Sequence, residues 1–289
     1  AAIITEARCD LDGDGVEDNV IGDLGSPAGD LAAVALNAMI DGAIEGGYRL
    51  MFHVPWIDDP ATPQDTEIVV IVLDAADTDV PPNPEDDFSG EEAFYATGGF
   101  LDGCGEPLYY FAEANIGAGT MVASSGVVPV PVGDTDLLLR GAHVFSTMEP
   151  GMVSSEIYVC GYALISDLGD APGLEEAGDL SMLEVLLVGG AAFGIDMIPG
   201  VSPDLDLDDD GIERFILDAD GRIEQCIDGD MTATSGRDCW RGEGMNDGFS
   251  LTVHMTTVAA SYAGRQPGWE VDAVGECEEP PAQSLFDPR

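Results

Sequence analysis

The residues best placed to do chemistry are aspartates recurring at every second position. In Asp10-Leu11-Asp12-Gly13-Asp14-Gly15 three carboxylates alternate with small or apolar residues, and Asp18 follows shortly after. Asp206-Leu207-Asp208-Asp209-Asp210-Gly211 repeats the pattern, and Asp10–Glu17 matches Asp206–Glu213 almost residue for residue. Carboxylates at loop positions 1, 3 and 5 converge on one ion when the chain turns, a glycine at position 6 permits the sharp turn, and the carbonyl at position 7 adds an oxygen. Such a set suits Ca2+, which takes about six to eight oxygens at roughly 2.3–2.6 Å, better than Mg2+, which keeps its waters. The first loop offers Asp10, Asp12, Asp14, the Val16 carbonyl and Asp18; the second offers Asp206, Asp208, Asp210 and the Ile212 carbonyl.

Over about nine residues each, both runs resemble the DxDxDG calcium loops of EF-hand, dockerin and thrombospondin type 3 repeat proteins. The resemblance implies the ligand positions just named and covers no more of the chain. Those families close the shell with an acidic residue at position 12, where Ile21 and Leu217 stand here, and Arg214 holds position 9 of the second loop. A substitute ligand for the second loop is Asp247. Its surroundings, Gly244–Leu251 (GMNDGFSL), resemble the first loop's tail (GVEDNVIG), as though an insertion had split the second loop. A third candidate is Asp218-Ala219-Asp220-Gly221, with Asp228 and Asp230 nearby.

The elements that must position these loops read as mainly β. Arg49–Trp56 alternates, and Glu67–Leu73 (EIVVIVL) is a continuous apolar run, as in a strand covered on both faces. Leu108–Ile116, Thr120–Val132, Asp136–Leu139, Ala142–Thr147, Ser154–Ile165 and Phe249–Met255 follow as strands between glycines and prolines. That rhythm predicts an antiparallel, jelly-roll-like β-sandwich. Two helical segments are expected. One runs from Ser26-Pro27 to Gly46, and one spans Leu174–Val188 with a capping box at Ser181 and Glu184. The chain reads as one domain over 1–279, with an excursion at about 216–245 and a tail at 280–289, and the two Asp-rich loops fall near the two ends of that domain.

The chain has 289 residues, 56 of them acidic against 9 basic, for a formal charge of −47. That balance excludes a phosphate backbone as partner and disfavours anionic membranes. Self-repulsion of this size calls for bound cations or a screening medium. Apolar residues still make up 45%, enough for a real core. Val185–Ile195, the longest apolar run, is too short to cross a bilayer, which takes about 20 residues. The AAIITEA start reads as that of a processed secretory chain.

Six cysteines without metal spacing predict three disulfides and an oxidising compartment. Cys226 with Cys239 is the local pair; Cys104 with Cys160 and Cys9 with Cys277 complete the expected set, out of about fifteen possible connectivities. No GxSxG, HExxH, Walker loop or GxGxxG is present, and His53, His143 and His254 have no partner at metal spacing, so no enzyme is expected. The reading is a secreted, calcium-binding structural subunit of an extracellular filament, tube or surface layer that associates with itself. In such an assembly the apolar stretch Ala1–Thr5 could add a strand to a neighbouring copy. A calcium-dependent glycan-binding or adhesion module, with Trp56, Tyr109, Tyr110, Trp240 or Trp269 stacking on sugar, is the alternative. A secreted hydrolase working through a carboxylate pair is a third.

Overall fold

In a computed structural model, residues 2–4, 9–11, 15–23, 42, 49–57, 65–79, 90–132, 135–149, 153–173, 177–193, 199–242, 244–267 and 284–286 are described. Thirteen strands are found among them: β1 (Ala2–Ile4), β2 (Leu50–His53), β3 (Asp65–Asp77), β4 (Ala93–Ala96), β5 (Tyr109–Gly117), β6 (Thr120–Val132), β7 (Thr135–Glu149), β8 (Val153–Leu164), β9 (Arg214–Leu217), β10 (Ile223–Ile227), β11 (Ala233–Ser235), β12 (Gly248–Thr256) and β13 (Ser261–Arg265). The short helices are α1 (Val20–Asp23), α2 (Ile165–Asp170) and α3 (Met182–Val188).

Ten strands form one sheet in the order β1-β12-β8-β7-β6-β5-β3-β4-β13, with β2 also pairing β3. All its pairings are antiparallel except β4 with β13. The mainly β expectation is met. Strands β5 to β8 are successive neighbours, however, so the order is a meander, and no jelly-roll interleaving is found among the described residues. Gly141 had marked a break between two strands. The structure runs β7 straight past it, absorbing the irregularity as a register shift between Arg140 and His143, with Gly141 at φ +53°.

Strand β3 shows why an unbroken apolar run belongs inside. Ile68, Val70 and Val72 enter the larger core, where they join Leu168 of α2, Leu183 and Leu186 of α3, and Ile223 of β10. Val69, Ile71 and Leu73 point the other way, into a second core with Ala96 and Leu101. Each such side chain, fully buried, contributes about 1.5–3 kcal/mol. Helix α3 starts where its capping box puts it. Ser181 accepts the Glu184 N–H, and Glu184 accepts the Ser181 N–H at 2.8 Å. The helix therefore begins at Met182 and not at Leu174. The helix expected after Ser26 lies, Gly42 apart, outside the described residues.

Two stretches near the ends of the sequence contact the main sheet. Ala2–Ile4 is already used in its own sheet, with Ala2 opposite Met255 and Ile4 opposite Val253 on β12. In the C-terminal tail, Leu285 and Phe286 pack against the second core.

The excursion carries its own three-stranded sheet, β11-β10-β9, and the Cys226–Cys239 disulfide. Cys9 pairs with Cys160, neither with Cys277 nor leaving Cys160 to Cys104. Cys104 is also in a disulfide, with a partner outside the described residues. The reason is the register. Strand β8 sets Cys160 beside Thr252 of β12, and the Thr252 N–H donates to Asn19 at the end of the first loop. Disulfides, and no described helix long and apolar enough to cross a membrane, are compatible with an extracellular location.

Candidate metal centre in the second Asp-rich loop

Asp206, Asp208 and Asp210 each turn one carboxylate oxygen to within 4.8 Å of the others. The loop is folded by its own first residue. Asp206 accepts the N–H groups of Asp210 at 3.2 Å and Gly211 at 2.9 Å. The reversal puts Asp209 at φ +62° and Gly211 at φ +107°, the latter a value that glycine alone holds without strain. Ile212, the expected carbonyl donor, is half-buried where the loop leaves for β9.

Asp247 is fully buried and is not among the three converging carboxylates. It accepts the N–H groups of Leu207 at 3.1 Å and Glu213 at 2.9 Å, and so braces the loop from behind. Glu213, equally buried, returns the contact by accepting the Asn246 N–H at 2.8 Å and the Asp247 N–H at 3.3 Å. The Asn246 side-chain amide then donates to Asp208 at 2.8 Å.

The described residues of the first loop repeat two of these hydrogen bonds. Asp10 accepts the Gly15 N–H at 3.1 Å, as Asp206 does that of Gly211. Asp18 accepts the Leu11 N–H at 2.7 Å, as Asp247 does that of Leu207. Asp247 thus accepts from the second loop the N–H that Asp18 accepts from the first. Asp12 and Asp14 lie outside the described residues. Val16 is 61% exposed and Asp18 is buried.

The two loops do not sit at opposite ends of the domain. Ser250 on β12 accepts the Val20 N–H at 2.6 Å and donates to Asp204, just before the second loop. Burial raises the Asp204 carboxyl, Ser250 opposes this, and the charge of Asp18 adds to it. The loops share one strand because the chain's first strand pairs with β12.

A third close contact comes from the excursion. The turn between β10 and β11 brings Gly229 against the loop, and a methyl there would overlap Asp210 Oδ1 and the Gly211 carbonyl oxygen. Asp210 Oδ1 is buried and accepts no hydrogen bond. Burial first, then the charge and side-chain contact of Asp208, then the charges of Asp230 and Asp206, push Asp210 up to about 6. An orphaned oxygen among like charges fits a hard divalent cation, which would relieve both costs.

Glu213 had no assigned part in the sequence reading, although a glutamate closes each copy of the repeated motif, Glu17 in the first and Glu213 in the second. Burial, then contact with the Asp247 carboxylate, pushes it up to about 9 from 4.5. A raised value means that folding favours the protonated acid. That contribution is complete below 4.5 and is lost as the pH climbs through about 9. Glu213→Gln keeps the acceptor and removes the titration. In chelator, its unfolding free energy should fall less than the wild type's between about pH 5 and about pH 9, by roughly 1–3 kcal/mol. Parallel profiles would dismiss Glu213 as the titrating group.

The Asp218–Gly221 candidate is a hairpin turn. Asp218 accepts the N–H groups of Asp220 and Arg222, both at 2.9 Å, and Gly221 takes φ +80°. Neither Asp218 nor Asp220 joins a converging carboxylate group among the described residues. One group not foreseen is Asp77, Asp79 and Glu92. The Asp77-x-Asp79 spacing was visible, but Glu92 arrives only through the pairing of β4 with β3.

The aromatic residues considered for sugar stacking are mostly occupied. Trp240 is buried and donates to Asp170 at 3.1 Å. Trp56 packs on the second core, and Tyr109 stands edge-on to Phe100 at 4.9 Å. Tyr110 is exposed, and Trp269 lies outside the described residues. Burial lowers His53 to about 4, and His254 stacks on Tyr158 at 4.4 Å.

Fold and site together define a mainly β, disulfide-stapled protein with an Asp-rich loop whose converging carboxylates could hold a metal ion. Compared with protein-family models, curated proteins and solved structures, the chain has no significant match.

Proposed function

We propose that this chain is a secreted, calcium-binding structural protein, without catalytic activity, that assembles with copies of itself outside the cell. The observation that carries the reading is the second loop. Three carboxylates converge there, one with a buried, unpartnered oxygen, held in place by Asp247 and Glu213 before any ion arrives. Calcium is the ion of choice because its flexible, oxygen-rich shell accepts carboxylates and carbonyls without requiring retained waters. The first loop, wired alike at Asp10 and Asp18, is the second calcium site. On this reading both are relatives of the DxDxDG loops of EF-hand, dockerin and thrombospondin type 3 proteins.

The structural role follows from charge. At −47, copies repel one another unless cations intervene. Cations at acidic loops lower that repulsion and rigidify the domain. The test is calorimetric titration with Ca2+ and Mg2+, followed by electron microscopy and sedimentation with Ca2+ and after chelation. Saturable Ca2+ binding, with ordered polymers that soften in chelator, is expected. A monomer in both conditions ends the assembly reading, and an absence of Ca2+ binding ends the metal reading.

A further inference from the structure

The Asp218–Gly221 turn, whose carboxylates do not converge as a metal-ligand set among the described residues, forms one wall of a cavity of about 610 Å3. The facing wall is the end of α3 with Ala191 and Ala192 just beyond it, and Asp179 and Leu180 enter from the stretch before the helix. Sites for small molecules typically measure about 300–1,000 Å3.

Three ties hold the surroundings of this cavity in place. Glu184 of α3 accepts the Ile223 N–H at 3.0 Å, Arg222 reaches the Asp179 carboxylate at 3.3 Å, and Arg237 donates to the Asp179 carbonyl oxygen at 2.5 Å. Gly221 lets the hairpin rest on the helix, since a methyl there would come within 2.8 Å of Val188 Cγ2.

The lining is divided by polarity. Leu180 is buried and Leu187, Val188 and Leu217 are half-buried, which makes an apolar floor. Asp179, Asp218 and Asp220 are exposed and make an acidic rim. Arg222 is the single cation in the described lining, and Asp179 holds it. Among the described residues no ion pair reaches Asp218 or Asp220, so the rim keeps a negative excess in a chain already at −47. A hydrated inorganic cation would use the rim and leave the floor in water. A neutral apolar guest would leave the carboxylates unused, and an anion would be repelled.

We infer that this cavity binds a small organic cation with an aliphatic body, a free primary alkylamine of about four to six carbons. Its carbons lie on Leu187, Val188 and Leu217, and its ammonium group sits between Asp218 and Asp220. The inference is independent of the calcium and assembly readings.

The test is an NMR titration of the intact protein, with methyl groups observed, in Ca2+ and moderate salt. The probes are hexylammonium, hexanol, hexanoate and a capped Gly-Lys-Gly peptide. Hexylammonium should give saturable shifts centred on the Leu187, Val188 and Leu217 methyls. Hexanol should bind at least threefold more weakly, and hexanoate not at all. Asp220→Asn should weaken hexylammonium roughly 2–5-fold, the scale of an exposed charge contact. Ala191→Trp, an exposed position at the mouth, should block it. Shifts that never saturate, that spread over the acidic surface, or that persist in a folded Ala191→Trp protein would mean general counterion attraction and overturn the site. If Ala191→Trp does not fold, equal affinity for hexanol and hexylammonium, or unchanged affinity in Asp220→Asn, overturns it instead. A lysine peptide that binds as tightly as hexylammonium overturns the free amine in favour of a protein side chain.

Discussion

Gly229→Ala is expected to destabilise the protein by about 2–3 kcal/mol and, on the proposed calcium reading, to weaken Ca2+ binding roughly 10–100-fold. The added methyl would overlap Asp210 Oδ1 and the Gly211 carbonyl oxygen, one a candidate ligand and the other the backbone of the loop's sharpest residue. A flexible side-chain tip could swing away, but a backbone carbonyl moves only with its loop. Gly117→Ala is the control, since a methyl there meets nothing within 4 Å; its effect should stay within about 0.5 kcal/mol. Urea unfolding in chelator reads the packing cost, and calorimetric titration reads the affinity. Wild-type affinity in Gly229→Ala would separate the excursion from the metal centre.

The second large effect is expected from Cys9→Ser with Cys160→Ser. The two cysteines lie 151 residues apart, against 13 for Cys226 and Cys239. In the chain-entropy account, closing a loop of about 15 residues contributes about 3 kcal/mol and one of about 100 residues about 4.7 kcal/mol. Loss of the long link should therefore cost about 3–5 kcal/mol, more than Cys226→Ser with Cys239→Ser. Part of the tie between the first loop and the sheet survives, because the hydrogen bonds of Asn19 and Val20 to β12 do not depend on the disulfide. Denaturant unfolding of both double variants under non-reducing conditions settles the order. A larger loss from the local pair would mean that strand pairing, not the cross-link, holds the N-terminal region.

Features legible in the sequence are those encoded within a few residues. Ile68–Leu73 (IVVIVL) specifies a strand covered on both faces, because every side chain is apolar and a strand's side chains alternate. Ser181 and Glu184 specify where α3 starts, since a capping box needs only three-residue spacing. The alternating aspartates with Gly211 specify a loop in which Asp206 can reach back to the Gly211 N–H. The likeness of GMNDGFSL to GVEDNVIG singled out Asp247 as a residue to look for beside the second loop.

Tertiary structure decided everything that depends on which distant segments meet. Strand β1 pairs with β12, so the first loop lands beside the second and Cys9 lies over Cys160. Asp247 could be matched to Asp18 by pattern, but its place behind the loop depends on the bridge between Leu205 and Gly248. The parts of Glu213, of Gly229 and of Glu92 beside Asp77 follow from the same kind of long-range pairing. So does the seating of Phe286 against Tyr262. A periodicity or a cap is a local energy that one segment expresses alone. A contact between residues 40 or 150 positions apart in the chain exists only after the sheet has chosen its strand order, and that choice is made by all the strands together.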